Sequence, residues 1–299
     1  MSKKSFLLLI FLSSNLLFFS SCKKEDSSEV EATPARDLAE QYISENDSIV
    51  EFMKTHFYNY SDFENIDTNQ TPELIIDTIA GDNSSKTPIF DQVKSIDIEV
   101  KDDDDNIVVH KLYYEVLREG SGDNPTVADS VYITYKGMLF DNKVFDQRKS
   151  PVWFEARNVV RGFQEFLPKI KRGEIVVNSD GTFDFLNFGI GFAIFPSGLG
   201  YYNNGTGNIQ PYSPLIFQIN LFTLNRTDHD NDTVPTILED LDGDHDFNND
   251  DTDGDGFPNF LDPDDDGDEI LTKDEYDVDG DGAADDTDND GIPDYLDTD

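Results

Sequence analysis

The stretch DSVYITYKGMLFDNKVFD, residues 129–146 of a 299-residue chain, decides the fold. In its first part Val131, Ile133 and Tyr135 alternate with the residues between them, and this period of two is typical of a β-strand. Asp141-Asn142 is a turn signal, because both residue types tolerate the backbone conformations of tight turns. Lys143-Val144-Phe145-Asp146 then returns along the first segment. We therefore predict antiparallel strands that carry aromatic side chains and one carboxylate.

Further sequence blocks stand in order on both sides of this stretch. They are YEVLREGSG at 114–122, VVRGF at 159–163, KRGE at 171–174, FPSGLGY at 195–201 and IQPYSPLIFQINL at 209–221. Together with residues 129–146 they resemble the FKBP-type peptidyl-prolyl cis-trans isomerases, and the resemblance covers residues 94–226. It implies an α+β fold, in which a twisted antiparallel sheet wraps around one short helix that begins near Val160-Arg161-Gly162.

The resemblance also implies a pocket for the peptide bond before a proline. Amide resonance sets a barrier of ~18–20 kcal/mol to rotation about that bond, and a dry pocket lowers it by favouring the twisted, less dipolar amide. No bond breaks, so we expect no cofactor for catalysis. For Asp146 an ordinary role stays open, as a turn cap or as the ion-pair partner of Arg148 or Arg157. The family's pocket falls on these positions: aromatic walls and floor at Tyr135, Phe145, Phe163, Tyr201 and Phe217, a backbone N–H donor at Val160, a side wall at Ile209, and a carboxylate beside the rotating carbonyl at Asp146.

Four departures from the family pattern bear on catalysis, and one is that no histidine occurs in the loop after Tyr201. Phe163 stands where tryptophan is common, and Val152 stands where an aromatic residue is usual. Residues 175–194 are longer than the short strand of the family, and their alternating phenylalanines predict an inserted hairpin. At the pocket rim this hairpin would select or occlude substrates, whereas at a sheet edge it would be without effect. If it blocks turnover, the chain is instead a binding or adhesion protein on the same fold.

The composition limits the kinds of partner and metal site. The chain has 63 acidic against 22 Lys and Arg residues, a net charge of −41, which disfavours electrostatic binding of nucleic acid or anionic lipid headgroups. Its single cysteine excludes an intramolecular disulfide. One cysteine and four scattered histidines do not provide the usual ligands of zinc or iron–sulfur sites, so a bound metal is expected to have oxygen ligands.

The N-terminal residues are typical of an exported lipoprotein. Lys3 and Lys4 precede the apolar run Phe6–Phe19, which predicts a signal peptide over residues 1–21. The small residues before Cys22 resemble the lipobox of bacterial lipoproteins, in which two acyl chains on the cysteine anchor the protein stably. The residues after Cys22 resemble acidic-tagged lipoprotein starts of the Bacteroidota. We expect an outer-membrane lipid anchor, with the protein on the periplasmic or the surface face, and a tether over residues 22–35.

Residues 36–93 precede the FKBP-like region and are predicted to be a helical N-terminal region. Apolar residues recur at spacings of three to four over Arg36–Phe57, including Ile49, Phe52 and Met53. This period indicates one amphipathic helix or a broken pair of helices. Its apolar stripe packs against the core or forms a dimer face.

The Asp-rich segment, residues 227–299, contains an internal repeat. From residue 228 onward 27 Asp and 3 Glu stand against Lys273 alone. Residues 228–239, 251–262 and 286–297 superimpose over twelve positions, residues 264–275 form a fourth copy, and partial copies begin at Asp240 and Asp277. Carboxylates at positions 1, 3, 5 and 12 are typical of calcium loops. These copies resemble the thrombospondin type 3-like calcium repeats of bacterial surface proteins.

The predicted partners are therefore calcium, as a structural ion, proline-containing polypeptides as substrates, and the membrane through the lipid anchor only. Without calcium the segment is expected to be a solvated acidic tail, because its like charges repel each other. The candidate calcium ligands are Asp228, Asp230, Asp232, Glu239, Asp251, Asp253, Asp255, Asp262, Asp264, Asp266, Asp268, Glu275, Asp277, Asp279, Asp281, Asp286, Asp288, Asp290 and Asp297.

Overall fold

The computed structural model describes residues 35–298. Arg36–Asp299 forms one compact unit. The predicted signal peptide, Cys22 and residues 23–34 of the predicted tether lie outside the described residues. Within residues 35–298, no helix combines the length and the apolar character that crossing a membrane requires.

Helix α1 (Leu38–Thr55) begins the described part of the chain. The Asp37 carboxylate caps it by accepting a hydrogen bond from the Glu40 N–H at 2.8 Å. Its apolar stripe, with Ile49, Phe52 and Met53, is buried in the core of the same chain. Of the two alternatives, the stripe therefore packs against the core and does not form a dimer face. Beyond α1 the predicted helical region becomes extended. Strands β1 (His56–Tyr58) and β2 (Ile76–Thr78) pair as a small antiparallel sheet, and only short 3-10 turns follow up to residue 93.

The central sheet has six strands in the described part of the chain, all antiparallel, in the order β3-β4-β9-β10-β5-β6. Its strands and the elements between them are β3 (Lys94–Lys101), β4 (Ile107–Arg118), β5 (Ser130–Met138), β6 (Val144–Glu155), helix α2 (Arg161–Phe166), β7 (Glu174–Val177), β8 (Phe183–Leu186), β9 (Gly189–Phe195) and β10 (Leu215–Asn225). Strands β5 and β6 are the pair predicted from residues 129–146.

The sheet is buried on both faces. On one face Ile133 and Ile219 pack with Phe166 of α2. Gly162 allows this helix to approach, because a Cβ at that position would lie 2.4 Å from the Phe195 ring. On the other face α1, β1 and β2 cover the sheet, and the Tyr58 and Phe192 rings meet at 5.1 Å. This arrangement matches the predicted sheet around a short helix, with α1 as a second layer.

Helix α1 is fastened to the loop after β9 by a buried carboxylate. Glu45 is 5% exposed and accepts hydrogen bonds from the Ser197 N–H at 2.7 Å and the Ser197 hydroxyl at 2.6 Å. The Gln41 side chain donates a third hydrogen bond to Glu45 at 2.6 Å. These hydrogen bonds of Glu45 thereby attach the loop that carries Tyr201 to helix α1.

The inserted segment forms a hairpin, as the alternating phenylalanines predict. Strands β7 and β8 pair around a turn in which the Asn178 N–H donates to the Thr182 carbonyl at 2.8 Å. Gly181 takes the left-handed conformation of this turn, with φ of 84°. Phe185 packs on Phe222 at 5.6 Å and on Tyr132 at 5.7 Å between ring centroids. Phe222 belongs to the core on the α1 side of the sheet, so the hairpin lies on the face opposite to α2.

The Asp-rich segment has little regular structure besides α3 (Thr272–Glu275) and short 3-10 turns. In three copies the carboxylate at position 1 accepts two backbone N–H donors, from positions 4 and 6. The acceptors are Asp228, Asp251 and Asp286. Phe247 and Phe260 of the segment pack on Val127 and Ala128, which precede β5. The segment therefore folds against the FKBP-like region rather than extending away from it.

Candidate functional site

A cavity of about 270 Å³, here called the aromatic pocket, opens above α2 between β5, β6 and β10. Every candidate pocket residue predicted from the sequence lines it except Ile209. The lining residues are Tyr135, Phe145, Asp146, Phe154, Asn158, Val159, Val160, Phe163, Tyr201 and Phe217.

The aromatic walls are arranged edge to face. The Phe217 ring lies 5.2 Å from Phe163 at 83° and 5.3 Å from Phe145 at 81°, an arrangement that the quadrupoles of aromatic rings favour. Gly137 faces Phe217 across the strand pair β5–β10. A Cβ at Gly137 would lie 2.5 Å from the Phe145 ring, so this glycine leaves room for the two rings.

Tyr135 and Asp146 form the polar corner of the pocket. The Tyr135 hydroxyl donates a hydrogen bond to Asp146 Oδ2 at 2.5 Å. Burial, and then the hydrogen bond and the charge of Asp146, raise the pKa of Tyr135. Burial and the charge of Asp146 also raise the pKa of the Tyr201 hydroxyl. Both hydroxyls are therefore protonated near neutral pH and serve as donors.

The structure gives Asp146 the Tyr135 hydroxyl as its partner, in place of the two arginines considered from the sequence. Arg157 instead pairs with Glu155 at 3.5 Å and lies over the Phe260 ring at 4.6 Å. Arg148 stands opposite Tyr135 in the β5–β6 register. Asp146 is exposed on edge strand β6 and faces the pocket mouth.

Val160 offers the backbone donor that the resemblance implies. It is the N-cap of α2, and its carbonyl accepts hydrogen bonds from Phe163 and Gln164 at 2.9 and 3.1 Å. Within residues 35–298 its own N–H has no hydrogen-bond acceptor. Since Val160 lines the pocket, this N–H is available to a bound carbonyl.

Ile209 lies behind the pocket rather than on its wall. It is 5% exposed, belongs to the core that includes Phe217, and is held by an isolated bridge with Thr206. Conversely, Phe154 supplies an aromatic wall that sequence reasoning missed, with its ring 5.6 Å from Tyr135 at 74°. The missing aromatic at Val152 is thus supplied two residues later. Asn158 and Val159 were also missed, although they stand directly before Val160.

The inserted hairpin contributes no residue to the aromatic pocket. Its contacts with Tyr132 and Phe222 hold it on the other face of the sheet. The rim position, in which it would occlude substrates, is therefore wrong for the described structure.

Two family models match parts of the chain. Residues 122–177, which contain Tyr135, Asp146 and Phe163, match the family model of the FKBP-type peptidyl-prolyl cis-trans isomerases. This match supports the FKBP-type family for that part of the chain. A second family model, described as BamM C-terminal, matches residues 229–282 within the Asp-rich segment.

Similar proteins are named as peptidyl-prolyl cis-trans isomerases. Over 120 residues the chain is 33% identical to the peptidyl-prolyl cis-trans isomerase Mip of Coxiella burnetii, covering 38% of this chain and 45% of that protein. Over 113 residues it is 32% identical to FkpA of Escherichia coli K12, an FKBP-type isomerase, covering 37% and 36% of the two proteins. The crystal structure of FkpA from Escherichia coli aligns with a TM-score of 0.32 and 32% identity, over 38% of this chain and 48% of that one. The alignments span less than half the length of these relatives.

The carboxylates of the Asp-rich segment gather in groups that could hold a metal. Three groups follow the predicted loops, with oxygens within 4.8 Å of one another: Asp228 with Asp230 and Asp232, Asp251 with Asp253 and Asp255, and Asp264 with Asp266 and Asp268. Two other groups include residues absent from the predicted ligands: Asp240 with Asp242 and Asp250, and Asp232 with Glu239 and Asp265.

Three carboxylates at position 12, those of Asp262, Glu275 and Glu239, are influenced by the charges of their own loops. Burial, together with the charges of Asp255 and Asp253, raises the pKa of Asp262. Burial and the charges of the 264–268 loop raise the pKa of Glu275 to about 7. Burial, followed by the charges of Asp230, Asp232 and Asp265, raises the pKa of Glu239 to about 10. All of the predicted calcium ligands stay a prediction.

Proposed function

We propose that the chain is a peptidyl-prolyl cis-trans isomerase that acts on Xaa-Pro bonds of exported or surface polypeptides. The observation that carries the proposal is the aromatic pocket itself. It combines the Phe163 floor, the Tyr135–Asp146 pair and the unpaired Val160 N–H in the part of the chain that the FKBP-type family model supports.

The proposed mechanism needs positioning and exclusion of water rather than covalent chemistry. A proline ring packed on Phe163 and Phe217 would leave water outside, and the twisted amide is less dipolar than the planar one, so it loses less on leaving water. The Val160 N–H and the Tyr201 hydroxyl are donors that can hold peptide carbonyls next to the rotating bond. No bond breaks, so the proposed turnover requires no cofactor.

The anchor and the location are part of the same proposal. Lys3, Lys4, the apolar run Phe6–Phe19 and the chain's single cysteine at position 22 support export and acylation. Two acyl chains would hold the enzyme at the outer membrane. Its substrates would then be polypeptides in the periplasm or at the cell surface.

Calcium is proposed as the structural ion of the Asp-rich segment. The donor set fits it, since the grouped side chains are carboxylates and calcium takes six to eight oxygen ligands. The charge argues in the same direction, because 30 acidic residues against one lysine from residue 228 onward repel each other without counter-ions.

The test is isomerisation of an Xaa-Pro tetrapeptide by the intact chain, with and without rapamycin, beside Phe145→Ala and Asp146→Ala. Both variants are expected to lower kcat/KM by about tenfold or more, equivalent to ~1.4 kcal/mol. Phe183→Ala is the matched control, because Phe183 is 60% exposed on the hairpin. A folded chain that binds the peptide without accelerating isomerisation would make it a binding protein instead.

A further inference from the structure

Three carboxylates from distant parts of the Asp-rich segment meet in its interior. Asp232, Glu239 and Asp265, here called the buried carboxylate centre, are 1%, 0% and 2% exposed. Each offers an oxygen within 4.8 Å of the others. Asp232 and Glu239 belong to the first repeat, whereas Asp265 stands beside position 1 of the fourth. Asp265 is therefore at position 2 of the fourth repeat, which is not a ligand position of the repeat pattern, and only the fold brings it to this centre.

The oxygens of this centre lack protein partners. Both carboxylate oxygens of Glu239, both of Asp265 and Oδ2 of Asp232 are buried and accept no hydrogen bond. The segment's single basic residue from 228 onward, Lys273, is exposed. Buried carboxylates without a partner are strongly unfavourable unless they are protonated or paired with a cation. Either protonation or a cation from outside the chain must therefore neutralise these carboxylates.

We propose that Asp232, Glu239 and Asp265 bind one calcium ion that joins the first repeat to the fourth. The proposal deepens the calcium binding proposed above and rests on it. Three carboxylates offer up to six oxygens, which suits a hard cation, and the group contains none of the nitrogen or sulfur ligands that zinc prefers.

The last repeat also approaches the centre. Tyr295 is buried, and after burial the charge of Asp265 is the largest contribution that raises the pKa of this tyrosine, followed by smaller ones that include Glu239 and Asp232. Asp265 is itself held in place by its N–H, which donates to the Thr272 hydroxyl at 3.1 Å. The ion at this centre would thus connect the first repeat to the fourth, whereas an ion in a single loop orders only that loop.

The test compares Asp265→Asn with Asp274→Asn in the intact chain. Asp274 is exposed and belongs to no proposed site, so it controls for the loss of one negative charge. Equilibrium dialysis with calcium alone is expected to show one ion fewer per chain for Asp265→Asn and the wild-type number for Asp274→Asn. Wild-type stoichiometry in Asp265→Asn overturns this centre but leaves the loops, whereas a wild type that binds no calcium overturns both proposals.

Urea unfolding distinguishes two interpretations of the centre, a site that binds a cation and a buried acid that is only hydrogen-bonded. In calcium, Asp265→Asn is expected to lower the unfolding midpoint, because a ligand is lost. In chelator it is expected to leave the midpoint unchanged or raise it, because a buried repulsion is relieved. A lower midpoint in both conditions overturns the proposal, since it indicates a structural role without a cation.

Glu239→Gln is the second variant, in case Asp265→Asn does not fold. Because Glu239 is also the position-12 residue of the first loop, this variant is expected to lose at least the ion of the buried carboxylate centre. Terbium, which replaces calcium and emits when a nearby tyrosine is excited, gives a readout on the wild type. We expect calcium to displace the emission and Tyr295→Phe to reduce it, and emission that Tyr295→Phe leaves unchanged overturns the placement of the ion.

Discussion

The Glu165 carboxylate and the His245 ring lie 2.8 Å apart, oxygen to Nδ1, where helix α2 meets the Asp-rich segment. Arg161 of the same helix pairs with Glu165 at 2.7 Å and donates to the Asp244 carbonyl at 3.0 Å. Between Arg161 and Glu165 this helix carries Phe163, the floor of the aromatic pocket. One side of this short helix therefore forms the pocket, and the other side is held by a segment that is rich in proposed calcium ligands.

Calcium removal is the first prediction, because the Asp244–His245 loop lies within the Asp240, Asp242 and Asp250 group. Without calcium, repulsion in this loop is expected to release α2. We expect kcat/KM for an Xaa-Pro peptide to fall about fivefold in chelator, equivalent to ~1 kcal/mol. Arg161→Met is expected to have a reduced kcat/KM that no longer responds to calcium. Equal activity of the wild type with calcium and with chelator would contradict the coupling.

The second prediction concerns the hydrogen bond from Tyr135 to Asp146. Tyr135→Phe keeps the aromatic wall and removes the donor, while Asp146→Asn removes the charge. A hydrogen bond to a charged group contributes about 1.5–3 kcal/mol, so each variant is expected to lower kcat/KM by at least about tenfold. The double variant is expected to be no slower than the slower single one, because both remove one interaction. Effects that multiply in the double variant would show that the two side chains act independently.

The aromatic walls could be predicted from the sequence because strand alternation and the ordered blocks both specify them. Phe154 could not, because the β5–β6 register shifts between Ile133 and Tyr135. The family pattern noted at Val152 does not show which neighbouring side chain the shifted strand turns toward the pocket. Sequence alone does not show where a strand pair slips, since each strand keeps its own alternation on both sides of the shift.

Two other features depend on long-range packing. The phenylalanines of the insertion predict its strands, but they do not determine which face of the sheet Phe185 covers. Likewise, the repeat pattern predicts ligands within each loop, whereas Asp265 meets Glu239 only after separate repeats pack together. A local period carries no information about either contact.

The third prediction is that the hairpin does not influence turnover. Val177 and Phe183 are 66% and 60% exposed, on the sheet face opposite to the pocket. Val177→Asp and Phe183→Asp are therefore expected to leave kcat/KM unchanged with a tetrapeptide. Phe185→Ala is the structural comparison, because loss of its packing on Phe222 is expected to cost about 2 kcal/mol in the free energy of unfolding. A change in kcat/KM in either aspartate variant would mean that the hairpin reaches the substrate.

The fourth prediction is that the chain becomes less stable below pH 6.5 because of His110. This side chain is 1% exposed, its ring lies 4.4 Å from the Tyr42 ring of α1, and burial lowers its pKa. In the unfolded chain His110 takes up a proton near pH 6.5, whereas in the folded chain it does so only at lower pH. The unfolded state therefore binds more protons than the folded state in this range. The contribution of His110 to the free energy of unfolding is fully present above pH 6.5 and is lost as the pH decreases.

Urea titrations from pH 7.5 to 5.5 in calcium test this prediction. His110→Phe is the comparison, because it retains an aromatic ring against Tyr42 and has no group that titrates. The wild-type midpoint is expected to fall more steeply below pH 6.5 than that of the variant, and the difference isolates His110 from the other three histidines. Parallel pH profiles for the two proteins would show that protonation of His110 does not weaken the contact between α1 and the sheet.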